Sequence, residues 1–264
     1  MSHHFHTRLL AIPAFILLLF VTACSKDSGD NDPEPEEPPK VVVTGVYSLT
    51  DVAADTVANS GSQAKPMYFS LEDNRVVSEN LKQTDKWDIA FTGTYNSNIA
   101  INNGSIVASP GYGGPGKGAI YMEKFSDIDD QYYDSPNKPI KSIPGKALFN
   151  EAFTRVKAGP AAADFKKIAL IGLDYFSGSE DGWAYYDFYG QLFPGSDASL
   201  VAHVSYTLPR PIIVKTAKGN YAKIVVYSVY KGAPAVPSRN YKPGYVTFKY
   251  AIQKDGTANL DISE

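Results

Sequence analysis

The chain has 264 residues, a formal net charge of −3, four histidines and a single cysteine. One cysteine excludes an intramolecular disulfide bond and a metal centre built from several thiolates. Residues 41–264 carry 22 basic and 22 acidic side chains. Such a balance lacks the basic excess that nucleic-acid phosphates require, so we expect no nucleic-acid partner.

The first 23 residues have the pattern of a secretory signal peptide. Arg8 precedes an apolar run from Leu9 to Val21, and the sequence VTAC then leads to Cys24. A basic start, a short apolar core and small residues before the cut are typical of such signals. The ending resembles the lipobox of bacterial lipoproteins, so we expect Cys24 to be acylated and to anchor the chain in a membrane through lipid. The alternative is an ordinary secreted protein with an unmodified cysteine.

Residues 24–40 predict an extended tether. After Cys24 this segment has no large apolar residue and combines two lysines with six acidic residues. It cannot bury enough apolar surface to fold, and it would hold the following domain away from the membrane. The acidic run after the cysteine also resembles the surface-export signals of some Gram-negative lipoproteins. We therefore expect an outer-membrane location, with the domain facing the cell exterior.

Residues 41–264 predict one β-rich domain, because they are long enough for a sizeable core and rich in tyrosine, valine and isoleucine between glycines and prolines. The segment 86–93 alternates apolar and polar residues as a half-buried strand does. The segment 211–230 predicts a hairpin around Lys-Gly-Asn, and 244–262 predicts another around Asp-Gly. Apolar residues at helical spacing predict one short helix near 146–158.

Five motifs occur in a fixed order along this domain. They are YFSLEDNRVV (68–77), KWDIAF (86–91), GKGAIY (116–121), DGW (181–183) and VKTAKGNYAKI (214–224). With the lipoprotein-like start, they resemble the HmuY family of haem-binding surface lipoproteins over nearly the whole mature domain. The resemblance implies an all-β fold, a single HmuY-like domain of many short antiparallel strands with at most one or two short helices and a cleft for haem. It also implies that the protein takes up haem and passes it to a TonB-dependent outer-membrane receptor.

The paired axial ligands that the resemblance implies are missing from this sequence. Characterised members hold haem iron through two histidines or two methionines, one a few residues after the tryptophan and the other upstream. Here AYYDFYGQ follows Trp183, and the upstream segment 152–167 reads AFTRVKAGPAAADFKK. Neither stretch contains histidine or methionine. Neither ligand can therefore be assigned by position.

Haem iron also accepts tyrosine, so the candidates come from the remaining histidine, methionine and tyrosine side chains. His203 is the only histidine of residues 41–264 and is our first candidate, with Tyr185 and Tyr189 as secondary candidates opposite it. Met122 is a further candidate, although it and Met67 fall on expected core strands. The alternative for each is packing: His203 as a half-buried strand residue, the tyrosines as the lining of a pocket, and the methionines as core.

Other chemistry finds little support in the sequence. No nucleophile elbow and no metal-spaced histidine pair accompanies His203, and the acidic cluster at 127–130 lacks the spacing of a calcium loop. We therefore expect neither an enzyme nor a dedicated metal site. Paired catalytic carboxylates for glycan hydrolysis are brought together only in space, so the sequence does not reveal them.

Two functions remain. The first is a lipoprotein that binds haem through one weak or unusual ligand, which predicts an accessible cleft. The second is a family member that has lost haem coordination and binds a glycan or a host protein, which predicts a filled cleft and exposed aromatic side chains elsewhere.

Overall fold

A computed structural model describes residues 42–57, 64–133, 140–174 and 181–263. All of these residues lie in one compact unit that spans residues 36–264. The predicted signal peptide, Cys24 and the tether lie outside the described residues. Within the described ranges, no helix combines the length and the apolar character that a membrane crossing requires.

The described residues form twelve strands and three α-helices. In chain order, the strands are β1 (Gly45–Ala53), β2 (Met67–Ser70), β3 (Arg75–Val77), β4 (Ile89–Thr92), β5 (Asn98–Ile101), β6 (Ala119–Met122), β7 (Leu170–Ile171), β8 (Ala184–Asp187), β9 (Val204–Thr207), β10 (Ile212–Lys215), β11 (Tyr221–Tyr230) and β12 (Pro243–Gln253). The helices are α1 (Ser126–Asp129), α2 (Lys146–Arg155) and α3 (Ala198–Val201), and single 3₁₀ turns occupy Glu79–Leu81, Thr94–Asn96 and Ala162–Asp164.

The strands form two five-stranded sheets and a two-stranded ribbon, and all of the pairings between them are antiparallel. The first sheet has the order β1-β12-β11-β10-β6, the second has the order β3-β2-β4-β5-β7, and β8 pairs with β9. The largest cluster of buried side chains draws on both large sheets. Phe69 of the second sheet, for example, meets Phe248 of the first edge to face, with ring centroids 5.2 Å apart. The two sheets therefore share one core.

The hairpin predicted at 211–230 is present, because β10 and β11 pair in register from Ile212↔Ile224 to Lys215↔Tyr221. The second predicted hairpin is not formed. The chain turns at Gly256, whose φ is +78°, but residues 257–263 contribute only an isolated bridge between Asn259 and Ala158. The reason is that β12 is already hydrogen-bonded on one side to β1 and on the other to β11, so no edge remains for a returning strand.

The predicted all-β class is confirmed, and the predicted helix corresponds to α2. Phe149, Ala152 and Phe153 of α2 are buried. Phe149 packs against Tyr227 of β11, with ring centroids 5.7 Å apart. This is the apolar stripe that the helical spacing indicated. The helices α1 and α3, each a single turn of four residues, add to the expected helical content.

The β8–β9 ribbon covers a second core that is rich in tyrosine. Its buried tyrosines are Tyr132, Tyr133, Tyr185, Tyr206 and Tyr230. The ribbon has two different faces because successive side chains of a strand point in opposite directions. This difference between the faces decides where the predicted ligand residues lie.

Candidate functional site

The β8–β9 ribbon separates the candidate residues that the sequence analysis grouped together. Tyr185 pairs with Tyr206 across the ribbon, and both side chains are buried on its inner face. His203 immediately precedes β9, is exposed, and packs against Phe188 on the outer face. Tyr189, also next to Phe188, is 59% exposed. His203 and Tyr189 are therefore brought together on the outer face, and Tyr185 is not.

His203 is held in a defined position by three contacts. Its backbone N–H donates to the carbonyl oxygen of Asp187 at 2.8 Å. Its ring meets Phe188 at a centroid distance of 4.5 Å and an interplanar angle of 65°. Its Nδ1 lies 2.8 Å from the hydroxyl oxygen of Tyr186. We call Tyr186, Phe188, Tyr189 and His203 the outer aromatic cluster.

The backbone of His203 is unusual, because its φ is +59°. Left-handed conformations are uncommon for residues other than glycine, although histidine is among the types enriched there. The conformation costs on the order of 1 kcal/mol. Strain of this kind often accompanies functional sites. It arises where the chain leaves α3 and enters β9.

The contact at Nδ1 determines what the imidazole can do. When Nδ1–H donates to the Tyr186 oxygen, the neutral ring keeps its lone pair on Nε2. Histidines that bind metals commonly have the second nitrogen fixed by such a hydrogen bond. Within the described part of the chain, Nδ1 is the ring atom of His203 that has a hydrogen-bond partner. His203 is exposed, so the lone pair of Nε2 is suited to coordinate an external metal ion.

The tip of the ribbon is fixed by the carboxylate of Asp187. This side chain is fully buried and accepts hydrogen bonds from the backbone N–H groups of Gln191 at 2.8 Å and Leu192 at 3.0 Å. The chain between them carries Phe188 and Tyr189. The buried carboxylate of Asp187 thus fixes the part of the chain that carries two members of the outer aromatic cluster.

The base of the ribbon is anchored by a buried ionic network around Arg210. Its guanidinium contacts Asp174 at 2.7 Å and Asp129 at 2.8 Å, and it donates to the carbonyl oxygen of Gly182 at 2.7 Å. Asp174 also accepts from the Tyr133 hydroxyl at 2.8 Å and from the backbone N–H of Gly182. Burial raises the pKa of Asp174, and Arg210 opposes that rise. The network fixes the chain two residues before β8 begins.

The inner face of the ribbon does not favour iron binding by Tyr185. The hydroxyls of Tyr185 and Tyr206 are buried and have no hydrogen-bond partner among the described residues. Burial raises the pKa of both phenols, and the carboxylate of Asp187 raises them further. A tyrosinate ligand requires the opposite shift, because an unperturbed phenol already has a pKa of about 10. Burial therefore works against a tyrosinate at Tyr185.

The two methionines lie in the core between the large sheets. Met122 is 7% exposed on β6, and Met67 is 4% exposed on β2. Both belong to the largest buried cluster, as the packing alternative expected. Neither shares a surface with His203.

The predicted cleft is not found beside these residues in the described part of the chain. A shallow depression of about 440 Å³ lies on the exposed side of α2 and is lined by Asn150, Glu151, Thr154, Arg155 and Lys157. Among the described residues, no group of three or more histidine, cysteine or acidic side chains could hold a metal ion. Of the candidate ligand groups, the one that remains for haem is an imidazole nitrogen with aromatic rings beside it.

Tyr186 is one of the tyrosines that follow Trp183, but the sequence analysis gave it no role in orienting the imidazole, and it missed Phe188. The signal was present in the sequence, because alternation along β8 places residues 184, 186 and 188 on one face. The sequence does not give the register between β8 and β9. It is this register that brings His203 next to that face of β8.

Comparison with known proteins returns solved structures only. No protein-family model matches the chain, and no curated protein matches it. An HmuY-like heme binding protein from Bacteroides vulgatus is 13% identical, with a TM-score of 0.35, and the match covers 79% of this chain and 92% of that one. An apo HmuY analog from Tannerella forsythia is 15% identical, with a TM-score of 0.35 and coverages of 81% and 99%. A lipoprotein from Bacteroides fragilis is 14% identical, with a TM-score of 0.31 and coverages of 75% and 95%.

HmuY-like proteins, the family that the five motifs resemble, are thus among the solved structures to which the chain is similar. The first of these structures is described as a heme-binding protein and the third as a lipoprotein. At identities of 13% to 15%, the ligand of this chain has to be judged from its own residues.

Proposed function

We propose that the chain is a surface lipoprotein that binds haem on the outer face of the β8–β9 ribbon, with Nε2 of His203 as the iron ligand. The observation that carries this proposal is the 2.8 Å contact between Nδ1 of His203 and the hydroxyl of Tyr186. With Nδ1–H as the donor, it fixes the ring and leaves the lone pair of Nε2 to coordinate the iron. Phe188 and Tyr189 provide aromatic surface on which the porphyrin can stack.

A single ligand on an exposed surface suits a carrier that must release its cargo. Iron held by one imidazole lacks the second coordinate bond that a paired site supplies, so binding should be weaker than at paired sites. We infer that the haem is passed to a TonB-dependent outer-membrane receptor, as the resemblance implies. Acylation of Cys24 would keep the domain at the outer membrane beside such a receptor.

The proposal is tested by titrating haemin into the chain from Ser25 onward, which retains every described residue. We expect a sharpened and shifted Soret band for the wild type, loss of that shift for His203→Ala, and weaker binding for Tyr186→Phe. Tyr112→Phe is the control, because Tyr112 is an exposed tyrosine in the 109–118 loop, which is not part of the ribbon. A His203→Ala variant that keeps both the Soret position and the affinity would overturn the assignment.

A second candidate function is recognition of a glycan on the same surface. Two observations favour it: the inner face of the ribbon is filled by side chains, and Tyr189 is 59% exposed. Exposed aromatic rings can stack on the apolar faces of sugars without any iron ligand. In that case the wild type would give no haem-specific spectrum, and Tyr189→Ala would abolish retention on immobilised glycans. His203→Ala would then have a smaller effect than Tyr189→Ala.

A further inference from the structure

The connection between β11 and β12 is a basic segment. Residues 231–242 carry Lys231, Arg239 and Lys242 and contain no acidic residue. Two of the three cations are already near an aromatic ring: Lys231 lies 5.3 Å and Lys242 5.9 Å from the ring centroid of Tyr245. All three residues are exposed, but Arg239 has neither a cation–π contact nor an ion pair with any described residue.

The backbone of Arg239 is hydrogen-bonded to the chain shortly before His203. The backbone N–H of Arg239 donates to the carbonyl oxygen of Leu200 at 2.9 Å. Leu200 is three residues before His203, so the Cα atoms of Leu200 and His203 are at most about 11 Å apart. A ligand of the size of haem can bridge that distance. Arg239 therefore lies within reach of the edge of a ligand bound at His203.

Two acidic groups around this segment are already engaged with backbone groups. Asp51 accepts from the N–H of Gly232 at 2.9 Å, and Asp197 accepts from the N–H of Ser199 at 2.8 Å. Neither carboxylate pairs with Arg239 in the structure. The guanidinium is thus available to an anion from solution, and its planar fork matches the geometry of a carboxylate.

We infer that Arg239 binds a carboxylate of the ligand held at His203, so that the ligand class is an aromatic macrocycle bearing carboxylate arms. This inference rests on the proposed haem function and assigns Arg239 to the propionates. Because the pair is exposed, its contribution is modest and sensitive to salt. Loss of the guanidinium should weaken haemin binding by roughly fivefold at low ionic strength.

The test compares haemin with its dimethyl ester, in which both carboxylates are capped while the iron and the ring are unchanged. Arg239→Gln is expected to lower the affinity for haemin and to leave the affinity for the ester unchanged. The difference should shrink in 1 M salt. Lys86→Gln removes one charge from an exposed side chain in the segment before β4 and should bind both ligands like the wild type.

Failure of this inference is distinguishable from failure of the proposed function. If His203→Ala abolishes binding while Arg239→Gln binds haemin like the wild type, the role of Arg239 is wrong and the haem site stands. Equal losses for haemin and for the ester also overturn the carboxylate contact. If wild-type protein gives no specific Soret shift, the haem proposal fails, and the inference about Arg239 falls with it.

Discussion

Replacing Arg210 by methionine should destabilise the fold more than any change to a surface ion pair. The Arg210 side chain is fully buried between Asp174, which is also fully buried, and Asp129, which is 14% exposed. Its guanidinium lies 5.4 Å from the ring centroid of Tyr133. Methionine keeps much of the apolar stem but removes the charge and all of the donors. Asp174 would then be left as a buried carboxylate without its cation.

The expected cost follows from that unpaired charge. Breaking a buried ion pair by removing one partner typically costs about 3–5 kcal/mol, because the remaining charge has lost both water and its counter-ion. Two hydrogen bonds to Asp174 remain, from the Tyr133 hydroxyl and the N–H of Gly182. They reduce the loss without replacing the cation, so about 3 kcal/mol is the expected loss in unfolding free energy.

Urea unfolding followed by tryptophan fluorescence measures this loss, with circular dichroism as a second probe. Arg155→Met is the matched control, because Arg155 pairs with Asp127 and Glu151 at the surface and should matter little. The double variant Arg210→Met/Asp174→Leu should recover part of the loss, since it removes the stranded charge. If Arg210→Met costs no more than Arg155→Met, the network does not anchor the ribbon as described.

Three further predictions concern stability. Burial raises the pKa of Asp88 to about 7. The folded state thus binds this proton more tightly than the unfolded chain, so stability should fall by about 2 kcal/mol from pH 5 to pH 7. Urea titrations at both pH values should show that fall in the wild type and a clearly smaller one in Asp88→Asn, in which other carboxyls with raised pKa values, such as Asp174, remain. Tyr185→Phe and Tyr206→Phe should cost almost nothing in thermal unfolding, since each removes a buried hydroxyl without a described partner, whereas Tyr133→Phe should cost about 1 kcal/mol. A loss for Tyr185→Phe as large as that for Tyr133→Phe would contradict this. Gly182→Ala should lower the melting temperature markedly, because its Cβ would meet a neighbouring backbone nitrogen at 2.0 Å. A melting temperature equal to that of the wild type would refute that reasoning.

Local signals in the sequence predicted the elements that depend on local contacts. The 211–230 hairpin has a turn that can supply positive φ, and Gly219 does have a φ of +100°. The hairpin at 244–262 failed because its strand is paired by β1 and β11, and β1 is distant in the sequence. Asp88 is a second case in which contacts with distant segments override the local pattern. Alternation placed it on a solvent face, yet it is buried and accepts the N–H groups of Leu71 and Ala217 from two other segments.

The sequence singles out His203 as the first candidate ligand but does not predict its surroundings. Elimination among histidine, methionine and tyrosine selected His203, but the grouping with Tyr185 ignored the alternation of side chains in β8. The left-handed backbone of His203 and its contact with Tyr186 depend on the register between β8 and β9. That register depends on the packing of the whole tyrosine-rich core beneath the ribbon. A local sequence pattern does not reveal this packing.

The central claim is that the imidazole of His203 coordinates iron. The chain from Ser25 onward contains one histidine, so ¹⁵N-histidine labelling marks that side chain alone. Pulsed electron paramagnetic resonance of the ferric haem complex, prepared without a histidine tag, should show a strongly coupled ¹⁵N nucleus from a single imidazole. A haem complex with no ¹⁵N coupling above that of unlabelled protein would contradict the claim.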